Sequence, residues 1–445
     1  MPWVNEMDTP ICDFVRRYAE SQTLRLHMPG HKGQGPLGVE HLDITEVSGA
    51  DSLYEADGII AQSERNASVL FGCPTFYSTE GSSQCIRAMV HLAQLHARAQ
   101  GKRPLIAAGR NAHKAFLSAV GLLDVKTTWL YPRQPESYLS CCLTAQEIAE
   151  QLSPDTTAVY LTSPDYLGNV ADIATIAKMC RQKGVLLLVD NAHGAYLRFL
   201  YHSKHPMDLG ADLCCDSAHK TLPVLTGGAY LHIRDRGLAK QAKNALALFG
   251  STSPSYLILQ SLDAANDVLC QNYRGTLAGF LHKLENTRLW LTTQGYTFVG
   301  NEPMKLTIAA KPYGYTGTEL AACLRNAGIE CEFADPDYLV LMPTPHTTAA
   351  QLQQLERTLM AIPRRSPIAD VPPAFRPAKQ MLSLRNALLR PQETIPVSES
   401  KGRILAAASV GCPPAVPILV CGERIDENAI RCFQYSGIET VTVVK

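Results

Sequence analysis

The chain has 445 residues, 46% of them hydrophobic, and 41 Lys+Arg balance 41 Asp+Glu. That is ample for a large core and two or three domains. Zero formal charge, with no basic stretch interleaved with aromatics, argues against a nucleic-acid partner, and the apolar runs are strand-sized, far short of a membrane span.

The N-terminus, MPWVNEMDTPICDF, shows acids and no signal-peptide pattern. Residues 1–58 read as a loop-rich arm with a short helix near 10–20. Regular alternation starts near 60. Helical spacing runs through 60–71, and the turn STEGSS (78–83) opens a helix over 84–99. Strands are predicted at 104–109, 127–131, 157–163, 185–190, 212–217 and 227–233, with helices at 111–123, 144–152 and 173–184 between them. Strands that alternate with helices and read as continuous apolar runs predict an α/β fold, its mostly parallel sheet covered on both faces. This large domain spans 59–290, and a long helical stretch near 254–294 leads out of it. A smaller α/β domain follows at 291–362, then a proline-dense linker at 363–377. The C-terminal extension, 378–445, carries one helix, a Pro-rich turn at 412–417 and a final strand pair.

Fourteen cysteines occur without a C-x-x-C pair, and Cys214–Cys215 falls inside a predicted buried strand. They read as small core hydrophobes of a reducing cytoplasm, so neither a disulfide framework nor a metal site is expected. Net neutrality gives weak colloidal repulsion, which a self-associating protein tolerates.

The chemistry is carried by two strand ends. VLLLVD (185–190) ends on Asp190, and DLCCDSAHK (212–220) ends on Lys220. A lysine can form a Schiff base with the aldehyde of pyridoxal 5'-phosphate (PLP), and a carboxylate can keep the pyridine nitrogen protonated so that the ring withdraws electrons. Taken alone, each residue has an ordinary reading: the acid as a helix N-cap, the lysine as an exposed side chain. Four His-Lys dipeptides are present, at 31–32, 113–114, 219–220 and 282–283, and only the one at 219–220 closes a buried strand. STEGSS before a helix offers backbone amides for a phosphate, with Gly81 permitting close approach and Ser82 and Ser83 adding hydroxyls. Ser217 could add another. His113, just after a strand, could stack on a pyridine face, and His193 lies three residues past Asp190. Ligands of open α/β sheets bind beyond the strand carboxyl ends, and these residues converge there.

In this order, HMPGHKG, LDITE..GADSL, FGCPTFYSTEGSS, GRNAHKA, LTSPDYLG, VDNAHGA, DSAHKTLP..TGGAYLH and STSPSYLILQSLD resemble the fold-type-I, PLP-dependent ornithine/lysine/arginine decarboxylases. The likeness covers nearly the whole chain and is greatest to the short bacterial branch without an N-terminal wing domain. It implies a seven-stranded sheet, a cytoplasmic homodimer or higher homo-oligomer, and decarboxylation of a basic L-amino acid within polyamine biosynthesis. Lys220 would carry the cofactor, Asp190 would pair its ring nitrogen, and His113 would stack on the ring. Ser82, Ser83, Ser217 and His219 would surround the phosphate or the Lys220 link, with Lys220 or His193 reprotonating Cα. Thr252 and Ser253 would reach the phosphate of a neighbouring subunit. Glu46, Asp51 and Glu423 are candidates for the substrate's distal cation. The chain departs from the family pattern at Cys412 (usually Tyr), Ala415 (usually Gly) and Glu80 (usually small or amide).

Other readings stay open. An aminotransferase or an acyl-CoA-dependent synthase would share the fold, and Arg325 is available for an α-carboxylate. A degenerate homologue could instead regulate a true decarboxylase by assembly, although the intact Asp190/Lys220 pair argues against it.

Overall fold

The computed structural model describes residues 7–133, 137–374, 376–407 and 416–445. Seven strands form one sheet: β1 (Thr75–Ser78), β2 (Leu105–Gly109), β3 (Lys126–Leu130), β4 (Ala158–Thr162), β5 (Leu186–Asp190), β6 (Leu213–Asp216) and β7 (Ala229–Ile233). Their order is β1-β7-β6-β5-β4-β2-β3, and the sheet is mostly parallel. β5 and β6 run parallel, and β7 is antiparallel to both of its neighbours. Every residue of β2, β6 and β7 is buried, as a sheet covered on both faces requires.

A four-stranded antiparallel sheet follows, in the order β10-β11-β9-β8, from β8 (Thr297–Val299), β9 (Leu306–Ala309), β10 (Phe333–Ala334) and β11 (Tyr338–Leu341). Thr-x-x-Glu/Gln sequences start three helices. Thr144, Thr316 and Thr348 each accept the backbone N–H three residues on, while Glu147, Glu319 and Gln351 reach back to the cap's own amide. Each box satisfies two amides that have no partner inside the helix.

Four expectations about elements change. The first strand, β1, lies just ahead of the predicted turn, where no element is predicted, since four residues after Pro74 give too short a run to show alternation. The helix after it starts at Gly81, not 84, and the one predicted from 111 starts at Lys114. The long helical stretch is two helices, Tyr256–Cys270 and Tyr273–Thr293. The C-terminal extension has two α-helices, Leu384–Leu389 and Glu427–Tyr435. Its strands are not adjacent in sequence: β12 (Gln392–Pro396) pairs with β13 (Thr440–Val444) from the far end of the segment. Among the described residues no helix is long and apolar enough to cross a membrane, and every described cysteine is free.

The chain divides into two compact units. The first comprises Met1–Leu105, Asp155–Leu161 and Ile173–Gly275; the second comprises Ile106–Pro154, Thr162–Asp172 and Thr276–Lys445. Asp263 is a polar hub of the first. The fully buried carboxylate accepts the backbone N–H groups of Ile11 (2.9 Å) and Cys12 (3.0 Å) and the Ser63 hydroxyl, which ties the N-terminal helix Pro10–Glu20 to helix Tyr256–Cys270. Burial pushes its pKa from 3.8 up to about 6 against those hydrogen bonds. The folded chain therefore holds this proton more firmly than the unfolded chain. Its contribution to stability is fully present below pH 3.8 and is lost as pH rises through about 6. The loss amounts to about 3 kcal/mol. Asp263→Asn is expected to remove that decline: in urea melts between pH 4 and 7, the wild type should lose stability relative to the variant as pH rises. A pH-independent difference would contradict it.

Candidate active site

Most of the residues expected to handle a cofactor belong to the first unit, at the carboxyl ends of β5 and β6. Asp190, the last residue of β5, is 2% exposed. Its Oδ2 accepts the Tyr160 hydroxyl (3.0 Å), and its Oδ1 accepts the Ala192 N–H (3.2 Å) and faces the Cys215 thiol at 3.7 Å. Burial raises its pKa, and the nearby Lys220 cation is the main opposing influence. Tyr160 is the partner that sequence reasoning missed. The signal was a hydroxyl in the middle of the buried strand AVYLT, which demands a polar neighbour.

Beyond β6 the chain makes the single turn Ala218–Thr221, which carries Lys220. The Lys220 ammonium donates to His193 Nε2 at 3.0 Å, so that ring nitrogen is an acceptor and the ring proton resides on Nδ1. His219 Nδ1–H donates to the Gly228 carbonyl (3.0 Å), and the His219 amide donates to the same oxygen, which pins the turn against the start of β7. The Ser217 hydroxyl donates to Ser82 Oγ at 2.8 Å.

Gly81, Ser82 and Ser83 form the first turn of helix Gly81–Ala99. Gly81 has φ +71°, which favours glycine, and open space where a Cβ would stand. Its own amide donates to the Gly227 carbonyl (2.7 Å). The next amides are the kind that lack an acceptor inside a helix and suit an anion. Glu80 is exposed, and its carboxylate accepts the Ser251 amide, which anchors the loop bearing the exposed Thr252 and Ser253 beside this turn.

His113 lies in the second unit. It caps helix Lys114–Leu123, where its Nδ1 accepts the Ala115 N–H (3.1 Å). Glu423, in that unit too, is 1% exposed and pairs with the buried Arg110 guanidinium at 3.2 Å while accepting the Val420 amide at 2.7 Å. Burial raises the Glu423 pKa and Arg110 opposes that rise. Asp51, in the first unit, accepts the amides of Ser52, Asp57, Gly58, Ile60 and Ala61, and so closes the start of helix Ile59–Phe71. Asp51 and Glu423 thus both have partners inside the protein. Among the three acids, Glu46 is the exposed one. Cys412 and Ala415 lie outside the described residues.

The donor set fits PLP. An ammonium stands near a buried carboxylate, and the same unit holds a glycine-led helix start whose Ser82 hydroxyl is linked to Ser217. Comparison with known proteins points the same way. A family model described as the major domain of Orn/Lys/Arg decarboxylase matches residues 9–294, and one described as its C-terminal domain matches 372–439. Two relatives called arginine decarboxylase are each 29% identical to this chain. The Bacillus subtilis protein aligns over 96% of this chain and 93% of its own length, and the Halalkalibacterium halodurans protein over 94% and 91%. The crystal structure of a Francisella novicida lysine decarboxylase superposes with a TM-score of 0.81 at 16% identity, covering 99% of this chain and 82% of that one. The seven-stranded fold is thus that of the type-I PLP decarboxylases, and the chain belongs to the Orn/Lys/Arg decarboxylase family.

Proposed function

We propose that this chain converts a basic L-amino acid (arginine, lysine or ornithine) to the corresponding amine and CO₂, with PLP held by Lys220. The observation that carries this reading is the Lys220–His193 contact at the same sheet edge as the buried Asp190. When bound, PLP would supply an electron sink for the breaking Cα–carboxylate bond.

The chain's own residues would do the rest. His193 Nε2 accepts from the Lys220 ammonium, so it can take that proton and leave a nucleophilic amine. Asp190 is kept from water and oriented by Tyr160 and Ala192, and its carboxylate would pair the ring nitrogen. Ser82 and Ser217, already linked, would hold the phosphate with the first amides of the helix. The substrate's Cα–carboxylate bond breaks in a site that excludes water, where a carboxylate loses CO₂ more readily. The Lys220–His193 pair then delivers a proton to Cα in its place. The exposed Thr252 and Ser253 are left to serve the site of a neighbouring copy in a homodimer.

The relatives that align over nearly their full length are called arginine decarboxylases, so arginine is the first substrate to test. Purified protein loaded with PLP should release CO₂ and the matching amine from at least one of arginine, lysine and ornithine. Formation of a keto acid without CO₂ would make the chain an aminotransferase instead.

A further inference from the structure

Behind the Lys220 turn lies a polar cluster that the proposed chemistry does not use. Asp216 ends β6, and its side chain and those of His205 and His232 are 0% exposed. Asp216 Oδ2 meets Nε2 of both histidines at 3.0 Å. Asp216 Oδ1 accepts Asn191 Nδ2 at 2.7 Å and lies 3.7 Å from the Cys214 thiol.

The ring hydrogens follow from the other nitrogens. His205 Nδ1 caps the short helix Pro206–Leu209 by accepting the Met207 amide at 3.4 Å, so its proton resides on Nε2, toward Asp216. His232 Nδ1 meets Thr75 Oγ1 at 2.9 Å. The Thr75 hydroxyl is directed to the Cys73 carbonyl (3.0 Å), which leaves its oxygen to accept. His232 therefore carries both ring protons, and one imidazolium faces one carboxylate in the interior. Burial opposes both charges, yet the two histidines hold the Asp216 carboxyl well below its usual range, and Asp216 raises His232. Breaking such a pair strands a charge away from water.

These three residues also have their ligating atoms within 4.8 Å of one another. A metal, however, needs Nε2 bare and Nδ1–H donating outward. His205 has the reverse arrangement, so the cluster is a hydrogen-bonded clamp.

The clamp joins β1, the end of β5, the segment before Pro206, β6 and β7. Asn191 directly follows Asp190. Asp216 directly precedes Ser217, which bonds Ser82, and stands four residues before Lys220. We propose that Asp216 is a positioning residue, which draws His205, His232 and Asn191 onto one buried carboxylate and so fixes the Lys220 turn relative to Asp190. The inference rests on the reading of Lys220 and Asp190 as cofactor residues.

The test compares holoenzymes of the wild type, Asp216→Asn and Asp263→Asn. The last is a buried carboxylate variant of the same unit that makes none of the clamp's hydrogen bonds. Asp216→Asn keeps the side chain's shape and removes its charge. It should weaken PLP binding about tenfold or more, by analogy with groups that orient a ligand indirectly, and should shift the visible absorbance band. Asp263→Asn should change thermal stability while leaving PLP affinity and band unchanged. If Asp216→Asn does not fold, His205→Asn keeps an acceptor for Met207 and withdraws the donor from Asp216; a smaller shift in the same direction is then expected. Loss of thermal stability with wild-type PLP affinity and band would overturn the inference and leave the PLP reading intact. Stoichiometric zinc in the purified wild type would overturn the hydrogen-bonded assignment. A wild type that takes up PLP without forming any visible band would overturn both this inference and the reading of Lys220.

Discussion

A Lys220→Ala chain is expected to show no visible band of covalently held PLP and to lose decarboxylase activity by at least about a thousandfold, or about 4 kcal/mol of barrier. The size follows from what the side chain does. It is the amine at the end of β6 that touches both an acceptor, His193, and the field of the buried Asp190. Alanine removes the nucleophile and the proton source together. The phosphate cup contains no atom of Lys220, so PLP should still associate, only without its imine. Borohydride reduction of the wild type should fix label to the peptide containing Lys220 and fix none in the variant. The His-Lys pairs at 31–32 and 113–114 serve as internal controls. Lys32 lies in the N-terminal arm, with its ammonium on the His27 carbonyl, and Lys114 opens the helix that His113 caps. A band that survives in Lys220→Ala would assign the imine to another lysine and end the proposed mechanism.

The strand ends were legible because a strand covered on both faces reads as an unbroken apolar run, and a charge at its end is then conspicuous. Asp190 and Lys220 stand out for this reason, as does the glycine-led turn at Gly81. Partners supplied by distant segments were not legible. Tyr160 is 30 residues from Asp190, and nothing in AVYLT says where its hydroxyl points. Arg110 and Glu423 are 313 residues apart, so the acid looked like an exposed tail residue when it is the partner of a buried guanidinium. The five amide donors of Asp51 come from a chain reversal that local pattern does not reveal. The Asp216 clamp was hidden in the same way. Within DLCCDS the acid read as part of an apolar strand, and its histidines arrive from 11 residues before it and 16 after. Periodicity reports which face is buried; it does not report which polar groups meet there. In the seven-stranded sheet the strand missed, β1, is four residues long, too short for a period to register.

Asp190→Ala should leave PLP bound through Lys220 yet lower kcat by at least about three orders of magnitude, and Asp190→Asn should do nearly the same. The pair of variants separates charge from shape. Asparagine can keep its oxygen on the Ala192 amide and donate its NH2 to the Tyr160 hydroxyl oxygen, so the end of β5 should keep its form. What it lacks is the anion that makes a protonated ring nitrogen the favoured state. The carboxylate is 2% exposed, so no water can take over that duty, and the ring would be left a poor acceptor for the electrons released as CO₂ departs. Substrate affinity should change far less than turnover, because the lost interaction strengthens only as negative charge develops on the ring. Near-normal kcat in Asp190→Asn with PLP bound would show that the ring works without a fixed proton, and the electron-sink role of Asp190 would then be wrong even if Lys220 holds the cofactor.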